Sequence, residues 1–290
     1  MATEHDGVAL RAEAVDKLIR DIAEQEFVMK QLVMVSSSSA WKEVYWQETA
    51  GELTAQATAA IRGVPRLAAL PELTLSHTRK STTIEKYGGT ATISWEDILT
   101  AEIDVIARNI VKVGRAIANS VDSVIWNALS ENQSVSTINS VTITAGQEWN
   151  SATIANRDPV QNILNAIREI QIDNLNPLNG QGYLVLSPTD FANILGNANI
   201  RNVGQFYTSI LENGRVGRLL GLTVIVSNVV TADYSMVVIA KECGTWKEVQ
   251  PLTTNTVDTP PISRTISAWT YGVPQLSNPN AVCLISNTQA

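Results

Sequence analysis

The sequence predicts an α+β fold, on three observations. Residues 93–130 carry one long helical period, a second helical pattern opens at Asp158, and residues 221–285 are dominated by short apolar strands. The 290-residue chain is long enough for one large domain or two. With 44% hydrophobic and 17% charged residues it has the composition of an ordered globular protein.

The long segment, ISWEDILTAEIDVIARNIVKVGRAIANSVDSVIWNALS, organises the rest. Ser94 is placed to cap its first turn, Asp97 stands at the capping-box position, and Ile93 and Ile98 are spaced to staple the start. Leu99, Ile103, Ile106, Ile110, Val113, Ile117, Val121 and Ile125 step by three or four and share one face. Glu96, Asp97, Glu102 and Asp104 precede Lys112 and Arg115, the order the helix dipole favours. One helix over 95–130 would run roughly 54 Å, far beyond the common length, and implies an elongated body built along a strut. Gly114 and Asn119 interrupt the face and the period stays near 3.6, which argues against a free-standing coiled coil. Trp95 and Trp126, near the two ends, are positioned to anchor the helix on strands.

Before it, residues 8–34 alternate charges with Val15, Leu18, Ile19, Ile22 and Leu32, then stop in the serine run 36–39. Two readings stand: an arm with a flexible joint, or an ordinary helix on its own domain. Strand patterns follow at 41–46, 73–75 and 82–93, and between the first two lie about thirty residues of mostly Ala, Thr, Gln and Gly. Two strands with a small-residue tip cannot bury enough surface to be stable alone. A neighbouring copy of the chain is the economical cover.

After the long helix, residues 131–157 are rich in Ser, Thr and Asn, with a short strand pattern at 141–143. Asp158-Pro159 opens a helix whose buried face is Val160, Ile163, Leu164, Ile167 and Ile170. Residues 183–186 form a short strand, and Ser187-Pro188-Thr189-Asp190 caps a helix containing Phe191, Ile194 and Leu195. A Gly- and Asn-rich loop spans 196–217. Strands are expected at 221–226, 236–240, 245–249, 262–271 and 281–285, with 251–261 as a polar connection and Asn278-Pro279-Asn280 as a turn.

Composition excludes several functions. The net charge is −7, from 21 basic and 28 acidic residues, so attraction to phosphate is not what would hold DNA against this protein. No apolar run reaches the length of a membrane span, and the acidic, helical N-terminus is wrong for a secretory signal. Folding in the cytoplasm is expected. Cys243 and Cys283 read as two buried thiols in preference to a disulfide.

Catalytic signals are weak. His5 and His77 fit no metal-ligand spacing, and neither a nucleophile elbow nor a phosphate-binding glycine loop occurs. Cys243-Gly244-Thr245-Trp246 has no histidine after it, and pairs drawn from Asp97, Glu102 and Asp104 read as exposed helix charges. No enzyme, cofactor or metal is expected. Seven tryptophans against three phenylalanines are unusual. Trp41 and Trp46, beside the small-residue loop, are candidate intersubunit contacts, as are Arg62 and Arg66 within it.

Four pieces in this order and spacing, TISWEDILTAEIDVIARNIVKVGRAIANSVDSVIWNAL, DPVQNILNAIREIQ, GYLVLSPTDFANIL and GRLLGLTVIVSNVV, resemble the major capsid proteins of tailed phages, a fold shared with encapsulins. The resemblance implies an N-terminal arm (1–40), an extended loop with flanking strands (41–93), and a peripheral domain with its spine helix (94–130). It further implies an axial domain (131–234) and C-terminal strands returning to the peripheral domain (235–290). It implies self-assembly as hexamers and pentamers into an icosahedral virion shell around double-stranded DNA, without sequence-specific DNA contacts. Portal and decoration proteins are further partners implied, and, because Met1 directly precedes the arm, a separate scaffolding protein or none. The loop 47–75 has no lysine, so a lysine cross-link of the kind some relatives make is not expected. An encapsulin-like compartment is the first alternative, and a cytoplasmic α+β enzyme or binding protein the second.

Overall fold

Period-two and period-3.6 patterns become strands and helices close to where the sequence puts them. The computed structural model describes residues 27–49, 77–100, 105–133, 136–197 and 217–290, with Ile19, Arg66, Leu67, Ala69 and Ile200 besides. Outside the described residues lie the helical pattern over 8–18, most of the loop 47–75 with Arg62, and the strand pattern 73–75. Glu102, Asp104, most of 196–217 and the side chains of Ile103 and Ile106 lie outside them too.

The elements in order are β1 (Met34–Ser37), β2 (Lys42–Glu48), β3 (His77–Thr83), β4 (Glu85–Ser94), α1 (Trp95–Thr100), α2 (Val105–Leu129), β5 (Asn139–Thr142) and α3 (Pro159–Ile172). Then come β6 (Gly182–Leu186), α4 (Pro188–Gly196), β7 (Arg218–Leu219), β8 (Leu222–Val226), β9 (Tyr234–Ile239), β10 (Gly244–Thr259), β11 (Ser263–Leu276) and β12 (Val282–Ser286). Among the described residues they form three sheets, in the orders β1-β10-β11-β4, β5-β12-β9-β6-β8-β7 and β2-β3.

The four-stranded sheet carries α2 on one face. Ile110, Val113, Ile117, Val121 and Ile125 are buried, as their spacing requires, against Tyr87 and Ile93 of β4 and Ile266 and Ala268 of β11. A Cβ on Gly89 would lie 3.8 Å from Val113 Cγ1, so strand and helix approach closely there. Trp126 fixes the far end: it is fully buried and its Nε1 donates to Thr231 Oγ1 at 3.0 Å. Leu99 departs from the pattern and is 72% exposed. The sheet ends at the Ser94–Ser263 pair, so no strand continues beneath α1. The expected single helix is described as α1 and α2, and the 25 residues of α2 alone span roughly 37 Å.

The six-stranded sheet is buried on both faces at its centre. Leu184–Leu186, Met236–Ile239 and Val282–Ile285 have no exposed member, which is why they read as unbroken apolar runs rather than alternations. The α3 helix covers β5 and β12 with Ile163, Ala166, Ile167 and Ile170.

The strands within 235–290 divide between two sheets: β9 and β12 join the six-stranded sheet, and β10 and β11 join the sheet under α2. Two strand expectations need correction. The stretch 251–261 is not a connection through most of its length, because β10 runs on to Thr259 as half of a long hairpin with β11. Register shifts between Glu248, Gln250 and Thr253 leave Pro251 outside the ladder, which is how a residue without an N–H is tolerated there. The 82–93 pattern is also two strands, broken at the buried Ile84.

Helix starts follow the sequence signals. The Asp97 N–H donates to Ser94 Oγ at 3.1 Å, Gln161 N–H to Asp158 Oδ1 at 3.1 Å, and Asp190 N–H to Ser187 Oγ at 3.0 Å. Asp158 is exposed, so Asp158→Ala removes little but the cap, and a loss of about 1 kcal/mol in chemical denaturation is expected.

Candidate assembly surface

The β2-β3 ribbon pairs from Lys42 with Thr83 to Glu48 with His77 and has no third strand among the described residues. Its inner face is tied to the body. Glu48 N–H donates to the Ser277 carbonyl at 2.9 Å, Gln275 Nε2 to Thr82 Oγ1 at 3.2 Å, and Ile84 N–H closes the base on the Trp41 carbonyl at 2.9 Å. Lys80 Nζ lies 4.0 Å from Glu131, and Gln47 is buried. Burial, and then the Glu131 carboxylate, push the Tyr45 phenol above its ordinary value.

Alternation turns the other face outward. Lys42, Val44, Trp46 and Glu48 lie across from Thr83, Ser81, Arg79 and His77. Trp46 is 60% and Val44 42% exposed, a large apolar side chain and a β-branched neighbour left in water by the subunit's own packing. Isolated exposed aliphatics are ordinary; an exposed tryptophan beside another apolar residue on the outward face of the ribbon is informative.

At the base of the ribbon the Trp41 ring meets Tyr271 edge-on, with centroids 5.4 Å apart. Lys86 Nζ lies 5.4 Å over the Trp269 ring and 5.7 Å over Tyr271, so an aromatic and cationic ladder fixes where the ribbon leaves the sheet. A Cβ on Gly88 would come within 2.9 Å of Trp269 Cβ; glycine there lets the neighbouring chain lie close. Beside Trp269 the outer sheet face has an open groove of about 430 Å³, floored by Gly88 and Gly89 and edged by Thr90, Ser267 and Asn255.

Of the four candidate contacts, Trp41 and Trp46 share the ribbon, and Trp41 also packs on its own chain. Arg66 sits in an exposed turn, and Arg62 lies outside the described residues. The sequence reading missed Val44, Arg79 and Leu99 as exposed surface. The first two were recoverable from the period of KEVYWQE and its register with β3; Leu99 was not, since its spacing matches buried residues.

Reactive chemistry finds no support at the cysteines. Both are fully buried, and burial pushes each thiol up to about 12. Cys243 Sγ donates to the Leu32 carbonyl at 3.5 Å. Among the described residues no group of three His, Cys, Asp or Glu side chains has the geometry to hold a metal. Asp97 is exposed.

Solved structures share this fold. They include a virus-like particle from Pyrococcus furiosus, 11% identical with TM-score 0.63, covering 94% of this chain and 98% of that one. The capsid of cyanophage P-SCSP1u is 14% identical with TM-score 0.66, covering 90% and 88%, and the mature capsid of bacteriophage PhiM1 is 15% identical with TM-score 0.62, covering 90% and 87%. The fold is therefore that of the tailed-phage capsid proteins. The family model for phage capsid protein matches residues 78–282, and the chain belongs to that family. It is a structural major capsid protein, and the encapsulin alternative is not favoured over this. No curated protein sequence matches the chain. Its place is the virion capsid, and no helix among the described residues is long and apolar enough to cross a membrane.

Proposed function

We propose that this subunit assembles as hexamers and pentamers into an icosahedral shell around double-stranded DNA, with the β2-β3 ribbon and the 47–75 segment reaching over a neighbouring copy. The observation that carries this is the ribbon's outward face: Trp46 and Val44 are exposed on two strands that no third strand joins among the described residues. A second copy is the partner that recurs at every such site in a shell. In this reading Trp41, Trp46, Arg62 and Arg66 are contacts between copies, α2 is the spine of a peripheral domain, and the six-stranded sheet is the core of an axial domain. The strand order argues for drawing β9 and β12 into the axial domain rather than ending it at residue 234.

The shell has no catalytic role in this reading. Scaffolding, portal and decoration proteins are the remaining partners, and assembly takes place in the host cytoplasm. With a net charge of −7, packaged DNA is enclosed rather than gripped. Electron microscopy of the expressed protein tests the proposal: shells or capsomers are expected, and a monodisperse monomer at capsid concentrations would refute it.

A further inference from the structure

The N-terminal segment meets the long helix at one buried carboxylate. Asp122 of α2 is 2% exposed, and its Oδ2 accepts the Val28 N–H at 2.8 Å, across 94 residues of sequence. Val28 is the N-cap of the 3-10 turn Met29–Gln31, and the N–H groups of Met29 and Lys30 that follow also act on the same carboxylate. The long helix thus caps a turn that has no side-chain cap of its own. The other oxygen, Oδ1, is enclosed and has no hydrogen-bond partner among the described residues.

That asymmetry has a chemical consequence. One carboxylate oxygen is satisfied by the turn and the other is shut away from water. A bare anion there is costly, whereas a proton on Oδ1 leaves the Oδ2 bonds in place. The charged group that acts on Asp122 is Lys30 of the turn, and Glu248 of β10 is the partner of Lys30. These are already paired, Nζ to Oε1 at 3.1 Å, and the same ammonium lies 5.0 Å over the Phe27 ring. Lys30 is therefore only a partial counter-ion for Asp122.

We propose that docking of residues 27–32 onto α2 is coupled to uptake of one proton from solvent by Asp122, which makes this junction a pH-set latch on the N-terminal segment. Burial is the largest influence on the Asp122 carboxyl and pushes it up to about 6, against the opposing pull of the three N–H groups and Lys30. Undocked, the carboxyl meets water and titrates near 3.9. The docked form then binds more protons between about pH 4 and about pH 6, so docking weakens as pH rises through that window and levels off above it. Met29 and Leu32 are fully buried, so undocking is a rare opening and the proton sets how rare.

Hydrogen exchange of the 27–33 amides, corrected for intrinsic rates, tests this in the wild-type subunit and in Asp122→Asn, a neutral isostere. Wild-type protection is expected to fall by roughly 50-fold from pH 4 to pH 7, while Asp122→Asn stays flat. Parallel behaviour of the two proteins, or wild-type protection that rises with pH, overturns the proposal. Should Asp122→Asn not fold, a carbon-13 titration of the wild-type Asp122 carboxyl decides: a midpoint near 6 is expected, and one at or below 4 refutes the latch. Neither measurement needs assembled shells, so the outcome is independent of the capsid reading.

Discussion

Trp46→Glu is expected to leave the subunit folded and to abolish shell formation. In the lone chain Trp46 is 60% exposed, so the substitution removes little intramolecular packing, and a stability change within about 0.5 kcal/mol is expected by thermal denaturation. At a contact between copies the effect is of another order. A tryptophan at the centre of an interface contributes about 2 kcal/mol or more, roughly 30-fold per contact, and glutamate adds the cost of desolvating a charge. Every subunit repeats the loss. Electron microscopy and sedimentation are the measurements: a folded Trp46→Glu subunit that still forms shells at wild-type concentrations would remove the ribbon's outer face from the interface. Trp46→Ala should give an intermediate result, with shells only at higher protein concentration.

The second large effect concerns the fold. Gly272 of β11 has no room for a side chain, since a Cβ there would lie 2.2 Å from Trp246 Cζ2 and 2.5 Å from Cε2. Trp246 cannot yield easily. It is fully buried, between Tyr87 at 6.0 Å and the backbone of β11. Gly272→Ala is therefore expected to cost about 3 kcal/mol, at the upper end for overpacking, and to lower the yield of soluble subunit. The cause can be isolated with Trp246→Leu, which is destabilising alone because it leaves a cavity. Combined with Gly272→Ala it should cost much less than the sum of the two single changes, because the clash is gone. Additive losses in denaturant titrations would mean that the ring is not what Gly272 accommodates.

Much of the framework was legible from local pattern. Ser94, Asp158 and Ser187 cap helices where their position ahead of an apolar period says they should. The face from Ile110 to Ile125 is buried as its spacing requires, because a helix carries its period with it wherever it packs. The candidate site was half legible. Trp46 was marked by its residue type beside a loop that two strands could not support alone, but Arg79 opposite it is known only from the register of β2 with β3. Leu99 fits the helical face as well as Ile110 does and is nonetheless in water.

What the sequence alone determined is which residues share a face, where each helix begins, and that the chain is α+β with an ordered core. What only the tertiary structure decided is what lies against each face. It placed β9 and β12 in one sheet and β10 and β11 in another, let Pro251 drop out of a continuing strand, and buried Trp126, Trp149 and Trp246 while leaving Trp46 outside. The reason is range: capping and periodicity act over two to four residues, whereas strand pairing and burial depend on partners far along the chain, such as the turn at Val28 that Asp122 closes across 94 residues.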